Sequence, residues 1–177
     1  LDHGTLYVAK FNADGKGQWL ALTHGQGPLT SANGFADQAE VLIKSRQASD
    51  ILGATKMDRP EWIDVDKQGW VYATLTNNSN RGGDKQPAVD AANPRANNTQ
   101  GNIIRWKEDV DFHATTFAWN HFILAGDASL ARAEAKGNIK GDMFSCPDGL
   151  WVDGRGLMWI QTDMSTSNMG KGDLKNF

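Results

Sequence analysis

A single cysteine, Cys146, stands among the 177 residues, which excludes an internal disulfide framework and any cluster of several thiolates around a metal. It follows Phe144 and Ser145 on the approach to a strand, and a free cysteine in such a place packs as a small hydrophobe. Histidine is scarce as well: the four, at positions 3, 24, 113 and 121, show no paired ligand spacing, and zinc is disfavoured. Neither sign of charge dominates. Eighteen basic residues against 21 acidic ones give a net charge of −3 and no basic stripe, which argues against nucleic acid as a partner. No apolar run approaches the roughly 20 residues that a membrane-spanning helix requires, and no secretory hydrophobic segment is visible.

The chain does contain a repeat. Arg59-Pro60-Glu61-Trp62-Ile63-Asp64-Val65-Asp66-Lys67-Gln68-Gly69-Trp70-Val71-Tyr72 aligns without gaps on the stretch from Cys146-Pro147-Asp148-Gly149-Leu150-Trp151-Val152-Asp153 to Trp159. In each copy an apolar alternation runs into Asp-x-x-Gly and then into an aromatic-rich alternation, which is the pattern of strand, tight turn and strand. Gly4 to Ala9, the turn Asn12-Ala13-Asp14-Gly15 and Trp19 to Leu22 repeat the theme, and Gly101 to Trp106 followed by Thr116 to Trp119 gives a weaker fourth instance. Three to four such units predict a mainly β protein, a partial β-propeller whose four-stranded blades pack around an axis. At about 40–45 residues per blade, the offset between Glu61 and Asp148 predicts two blades between the copies.

A closed six-bladed ring needs more residues than are present, and no initiator Met precedes Leu1, so the chain reads as one partial domain excised from a longer protein. The seven tryptophans suit blade interfaces and binding faces alike.

Because proline is tolerated at the first residue of a strand, Pro60 and Pro147 mark the start of the two equivalent strands. Glu61 and Asp148 would then converge on one channel mouth. The alternative is that both carboxylates only accept hydrogen bonds from turn amides. Two segments break the β pattern as short inserted helices: Ala36 to Gly53, with the glycine as its stop, and Asp127 to Gly137, with an aspartate cap. The polar tract from Asn77 to Gln100 is long for a structureless loop, which marks it as functional or disordered.

Met57-Asp58-Arg59-Pro60-Glu61-Trp62, Asn93-Pro94-Arg95-Ala96-Asn97-Asn98 with Gly101-Asn102-Ile103-Ile104, and Ser145-Cys146-Pro147-Asp148-Gly149-Leu150 with Trp159-Ile160-Gln161-Thr162-Asp163 resemble the PhoX-type bacterial alkaline phosphatases in order along the chain. The resemblance implies a six-bladed propeller with an iron and calcium cluster at the channel mouth. It also implies hydrolysis of small phosphate esters in the periplasm or outside the cell. Position by position it makes Glu61 a metal-bridging carboxylate, Asp148 a second carboxylate ligand, Asp163 a further candidate ligand and Arg95 the phosphate-binding arginine. Hard cations want several oxygen ligands and a phosphate wants a planar guanidinium, so that division of labour is chemically sound.

Two departures matter. Asn97 stands where the family pattern often has glutamate, and its amide oxygen suits Ca²⁺ but binds iron poorly. The family's Thr-Cys-Glu-Glu segment is absent, so iron is in doubt for this segment and the 177 residues alone are expected to be inactive. Two other functions stay open: a calcium-dependent hydrolase of the gluconolactonase type, whose Pro-Asp-Gly units resemble these, and a non-catalytic interaction propeller. Arg95 separates them, its bland role being a salt bridge with Asp90 or a solvated loop charge.

Overall fold

A computed structural model describes residues 3–177. The chain forms two compact units, one carrying the residues up to Thr55 with Glu108–Phe117, the other Lys56–Lys107 with Ala118–Phe177. The fold class is the expected one: mainly β, a partial propeller with two short helices. Among the described residues no helix is long and apolar enough to cross a membrane.

In the first unit β1 (Tyr7–Phe11) pairs antiparallel with β2 (Lys16–Ala21), and the predicted turn at Asn12–Gly15 closes them. The amide of Asn12 donates to the Lys16 carbonyl (2.8 Å), Asp14 Oδ1 accepts from the Lys16 amide (3.0 Å), and Gly15 takes the left-handed conformation that the turn needs. Gly17 faces the buried ring of Phe117, which is wedged against Phe11 and Trp19 with ring centroids 5.0 and 5.2 Å away. A Cβ at position 17 would overlap that ring. Gly17→Ala should therefore cost about 1–3 kcal/mol, read from the midpoint of urea unfolding; an unchanged midpoint would show that the ring has room to move.

The predicted helix at 36–53 is two helices, α1 (Gln38–Ile43) and α2 (Ser45–Leu52). Asp37 caps the first by accepting from the Glu40 amide (2.9 Å), and Gly53 ends the second at φ 73°, donating back to Asp50. Lys44 leaves helical geometry between them, at ψ 32°, and its ammonium reaches back to the Gly34 carbonyl (2.9 Å) and Glu40 (3.1 Å). Val41 and Ala48 thereby share one core with Leu22, Leu29 and Phe35.

The second unit holds β3 (Pro60–Val65), β4 (Val71–Leu75), most of β5 (Asn102–Glu108) and of β6 (Thr116–Leu124), and the hairpin of β7 (Pro147–Val152) with β8 (Met158–Thr162). β4 pairs antiparallel with β3 on one side and β5 on the other, and β6 lies beyond β5. Tyr72, Ile103 and Leu150 form its apolar centre.

The two copies of the repeat share the bonds that close their turns. Asp66 Oδ1 accepts from the amides of Gln68 and Trp70 (both 2.9 Å) and its Oδ2 from the Tyr72 hydroxyl (2.9 Å). Asp153 Oδ1 accepts from the amides of Arg155 (2.8 Å) and Leu157 (3.0 Å), and its Oδ2 from the Trp159 indole (3.3 Å). The Arg155 guanidinium, with these amides and the indole, holds the Asp153 carboxyl at about 2 against its ordinary 3.8. A depressed folded-state value contributes stability that is complete above the ordinary value and is lost as the pH falls through the folded one. An NMR titration of this carboxyl should have its midpoint near 2, with the Trp159 indole following it; a midpoint at 3.8 would mean that the turn does not hold the charge.

The structure corrects the expectation that two blades separate the copies. β3 and β4 pack directly on β7: Thr74 Oγ1 donates to the Asp148 carbonyl (2.7 Å), Thr76 Oγ1 to the Pro147 carbonyl (2.9 Å), and the Val152 amide to Asp64 Oδ2 (2.7 Å). β3, β4, β5 and β6 neighbour one another in that order within one sheet, and β7 pairs with β8 in a separate two-stranded sheet. The offset takes in the long segments 76–101, between β4 and β5, and 125–146, between β6 and β7, which a count of average blade lengths cannot see.

The expected helix at 127–137 is also corrected. Asp127 Oδ1 accepts from the Ser129 amide (2.7 Å) in a local turn, its Oδ2 accepts from the Asn176 side-chain Nδ2, and only one 3₁₀ turn forms, at Ala133–Ala135. The tract 77–100 is ordered by a buried hub. Asp58 is fully buried, its Oδ1 accepting from Arg81 Nε (2.8 Å) and Asn78 Nδ2 (2.9 Å) and its Oδ2 from Asn98 Nδ2 (3.1 Å), while its own amide donates to Asn93 Oδ1 (2.9 Å).

Candidate functional site

Arg59 and Cys146 occupy equivalent places in the two copies, each just before the proline that opens β3 or β7, and both are left-handed, at φ 49° and 53°. Such a conformation is costly for a residue with a side chain, and strain of this kind concentrates at functional sites. Each corner is locked by its own hairpin: the Arg59 carbonyl accepts from the Thr76 amide (3.1 Å) and the Cys146 carbonyl from the Asp163 amide (2.9 Å).

Both side chains line one cavity of about 630 Å³, with Asn77, Asn97 and Asp163 also on its wall and Lys171 and Asp173 contributed by the C-terminal segment. Asn77 ties the corners together, its Oδ1 accepting from Arg59 Nη1 (3.2 Å) while its Nδ2 lies 3.5 Å from the Cys146 sulfur. Arg59 Nη2 donates to Glu61 Oε1 at 3.3 Å and stands 3.8 Å from Asp163 Oδ2, so one guanidinium sits between a carboxylate of the first copy and one just past β8. The Cys146 thiol is 2 % exposed and also lies 3.5 Å from the Thr99 carbonyl and the Ser145 hydroxyl.

The expected site residues are distributed unevenly. Asp163 and Asn97 are on the cavity wall. Asn97 is exposed and left-handed (φ 45°), its amide donating to the Arg81 carbonyl (2.9 Å). Glu61 meets Arg59, and neither it nor Asp148 lines the cavity; Asp148 is half-buried, with its carbonyl held by Thr74.

Arg95 is 3 % exposed and is likewise not on the wall. Its Nη1 donates to the Ala125 carbonyl (2.8 Å), Nη2 donates to the Gly101 carbonyl, and Nε has no protein partner among the described residues. Burial lowers its pKa to about 10, against the opposing pull of the Asp58 charge, which leaves it a cation at neutral pH. Asp90 faces Arg81 instead, at 3.8 Å, and caps the amides of Ala92 and Asn93. Residue type and local pattern do not mark Arg59 or Asn77 as site residues, and Cys146 reads from sequence as packing. The alignment of Arg59 on Cys146 was the available signal.

A metal cluster can be tested against the donors present. Among the described residues no group of three or more His, Cys, Asp or Glu side chains is placed to hold an ion, and Glu61 and Asp163 already face the Arg59 cation. Calcium takes six to eight oxygens and iron wants several strong donors, so this chain's residues do not by themselves fit either ion.

No curated protein matches the chain. Among solved structures, Pseudomonas fluorescens PhoX in complex with vanadate, a transition state analogue, is 50% identical and superposes with a TM-score of 0.88 over 98% of this chain. The match covers 32% of that chain, so the 177 residues span about a third of its length. The family model for alkaline phosphatase PhoX matches residues 1–177. The matched stretch takes in both hairpins and the two strained corners that they hold against one cavity, and the chain belongs to the PhoX alkaline phosphatase family.

Proposed function

We propose that this chain is one part of a metal-dependent phosphatase that hydrolyses small phosphate monoesters, and that its cavity at the Arg59 and Cys146 corners belongs to the reacting site. The observation that carries the reading is the convergence of two repeat-equivalent, left-handed residues on one polar cavity, in a chain of this family. The similar solved protein binds vanadate, a transition state analogue, which fits phosphoryl transfer as the chemistry.

The chain's own contribution is to position groups. Asn77 and the carboxylates of Glu61 and Asp163 orient the Arg59 guanidinium, and the corner carbonyls bonded to Thr76 and Asp163 fix where these side chains start. Calcium and ferric iron are the proposed cofactors. Glu61, Asp148, Asn97 and Asp163 are each proposed as one ligand among several, with further donors from the remaining blades of a longer polypeptide. Arg95 would reach a phosphate only by exchanging the carbonyls of Ala125 and Gly101 for phosphate oxygens. A periplasmic or secreted location is part of the same proposal.

The test is hydrolysis of p-nitrophenyl phosphate by the longer polypeptide, with vanadate as inhibitor and with chelation and readdition of calcium. Turnover that vanadate blocks and chelation removes supports the reading, and the 177 residues alone should show none. Hydrolysis of an aldonolactone without any phosphate ester turnover would replace it with the gluconolactonase-type reading.

A further inference from the structure

The carboxylates on the cavity wall are already matched to cations, and one cation is left over. Asp163 faces Arg59 at 3.8 Å, and Asp173 is taken by Arg132, whose Nε donates to its Oδ2 at 3.1 Å. Lys171 stands exposed on the same wall, with no carboxylate in ion-pair range among the described residues. Its ammonium donates to the Ser167 carbonyl (2.8 Å), which uses one of three hydrogens. A unit of positive charge and two donors remain for a ligand.

The backbone beneath this side chain is fixed. The Lys171 amide donates to the Asn168 carbonyl (3.1 Å) and its carbonyl accepts from the Leu174 amide (2.8 Å), so the residue sits where two tight turns meet. Leu174 is buried, and the fully buried Gln100 donates from Nε2 to the Asp173 carbonyl (2.9 Å). Arg132 binds the Asp173 carboxylate and the Ala96 carbonyl (3.2 Å) together. The segment is thereby pinned to the tract 77–100 immediately after the lysine, and a charge positioned in advance loses less entropy when it meets a ligand.

A volume of about 630 Å³ is that of a pocket enclosing a whole small molecule, which leaves room for the alcohol half of an ester as well as its phosphate. One positive charge matches one carboxylate, whereas a second phosphate would bring nearly two negative charges. Resting on the phosphatase reading above, we propose that Lys171 is a specificity-determining residue that pairs with a carboxylate on the alcohol half of the substrate, so that phosphorylated hydroxy acids are the preferred esters.

The experiment compares phospholactate with isopropyl phosphate, two esters of the same shape that differ by a carboxylate in place of a methyl group. The readout is the ratio of their kcat/KM values in the longer polypeptide, in which any general loss of activity or of folded protein cancels. Lys171→Gln should lower the ratio of phospholactate to isopropyl phosphate about three- to tenfold, between the effect of an exposed ion pair and that of a buried charged hydrogen bond. Lys171→Arg keeps the charge and should keep most of the ratio. Added salt should shrink the wild-type ratio toward that of Lys171→Gln, which a merely structural role would not produce.

If the wild type hydrolyses isopropyl phosphate and Lys171→Gln lowers the ratio less than threefold, the assignment of Lys171 fails while the phosphatase reading stands. It fails likewise if Lys171→Arg lowers the ratio as far as Lys171→Gln does. If the wild type hydrolyses neither ester, both fail together.

Discussion

Asp58→Ala is expected to lower the stability of this protein by about 3–5 kcal/mol, because it leaves the buried guanidinium of Arg81 with only the more exposed Asp90 carboxylate, 3.8 Å away, as counter-charge. The Arg81 and Asp58 side chains are 1% and 0% exposed, and Arg81 Nε meets Asp58 Oδ1 at 2.8 Å. The same carboxylate accepts from Asn78 and Asn98, so three donors lose their acceptor at once. The other nitrogens of Arg81 bind the carbonyls of Lys56 (2.6 Å) and Ala88 (2.9 Å), which keeps the cation in place after its nearer counter-charge has gone.

Since whole domains are stable by only about 5–15 kcal/mol, this one carboxylate decides whether the tract 77–100 stays folded. Urea unfolding should show a lowered midpoint, and hydrogen exchange should show faster exchange at the amides of Asn78 and Asn97, which are bonded within this tract. Asp58→Asn keeps the volume but removes the charge, and should lie between wild type and alanine. A midpoint unchanged in Asp58→Ala would mean that the hub does not organise the tract.

Gly101→Ala should be of comparable severity, about 2–5 kcal/mol, for a steric reason. Gly101 is left-handed (φ 76°), and a Cβ there would overlap the Thr76 carbonyl and come within 2.6 Å of the Leu75 carbonyl and 2.8 Å of Pro147 Cδ. Two of those obstacles are backbone and cannot rotate away. The glycine is also where several contacts meet: its amide donates to Asn98 Oδ1 (3.1 Å), and its carbonyl accepts from the Ala125 amide (3.1 Å) and from Arg95. Displacing it would disturb the start of β5 and the Arg95 anchor together. Gly154→Ala is the control, since a Cβ there meets nothing. Equal urea midpoints for the two variants would show that β4 and the Pro147 corner can yield.

The two severe variants fall in the second unit, as do both strained corners, and this is consistent with where a site needs rigidity. Arg59 and Cys146 keep a costly backbone only if surrounding bonds over-determine it. Thr76, Asp163, Asn77 and the bonds accepted by Asp58, the residue before Arg59, supply that support. The first unit, with its capped helices and the Phe117 wedge, builds its core from different residues.

Much of this was legible in the sequence because the relevant contacts are local. The turns at Asp66 and Asp153 bond residues two to six positions on, so Asp-x-x-Gly between alternating apolar runs was enough to place them. Pro60 and Pro147 marked strand starts, Gly53 marked a helix end, and the aligned copies indicated one architecture used twice. Where local chemistry offered two outcomes the reading failed: Asp127 can cap a helix or close its own turn, and Asn176 takes its second oxygen in the turn.

Sequence by itself determined the class of fold, the hairpins and their turns, because backbone geometry and side-chain period are set within a few residues. Only the tertiary structure decided that the copies lie side by side, that Arg95 is anchored on carbonyls, and that Arg59 shares a cavity with Cys146. Asn77 reaches Cys146 across 69 positions and Thr74 reaches Asp148 across 74. Contacts at that separation follow from how whole strands pack and how intervening segments fold away, and residue spacing along the chain carries no measure of either.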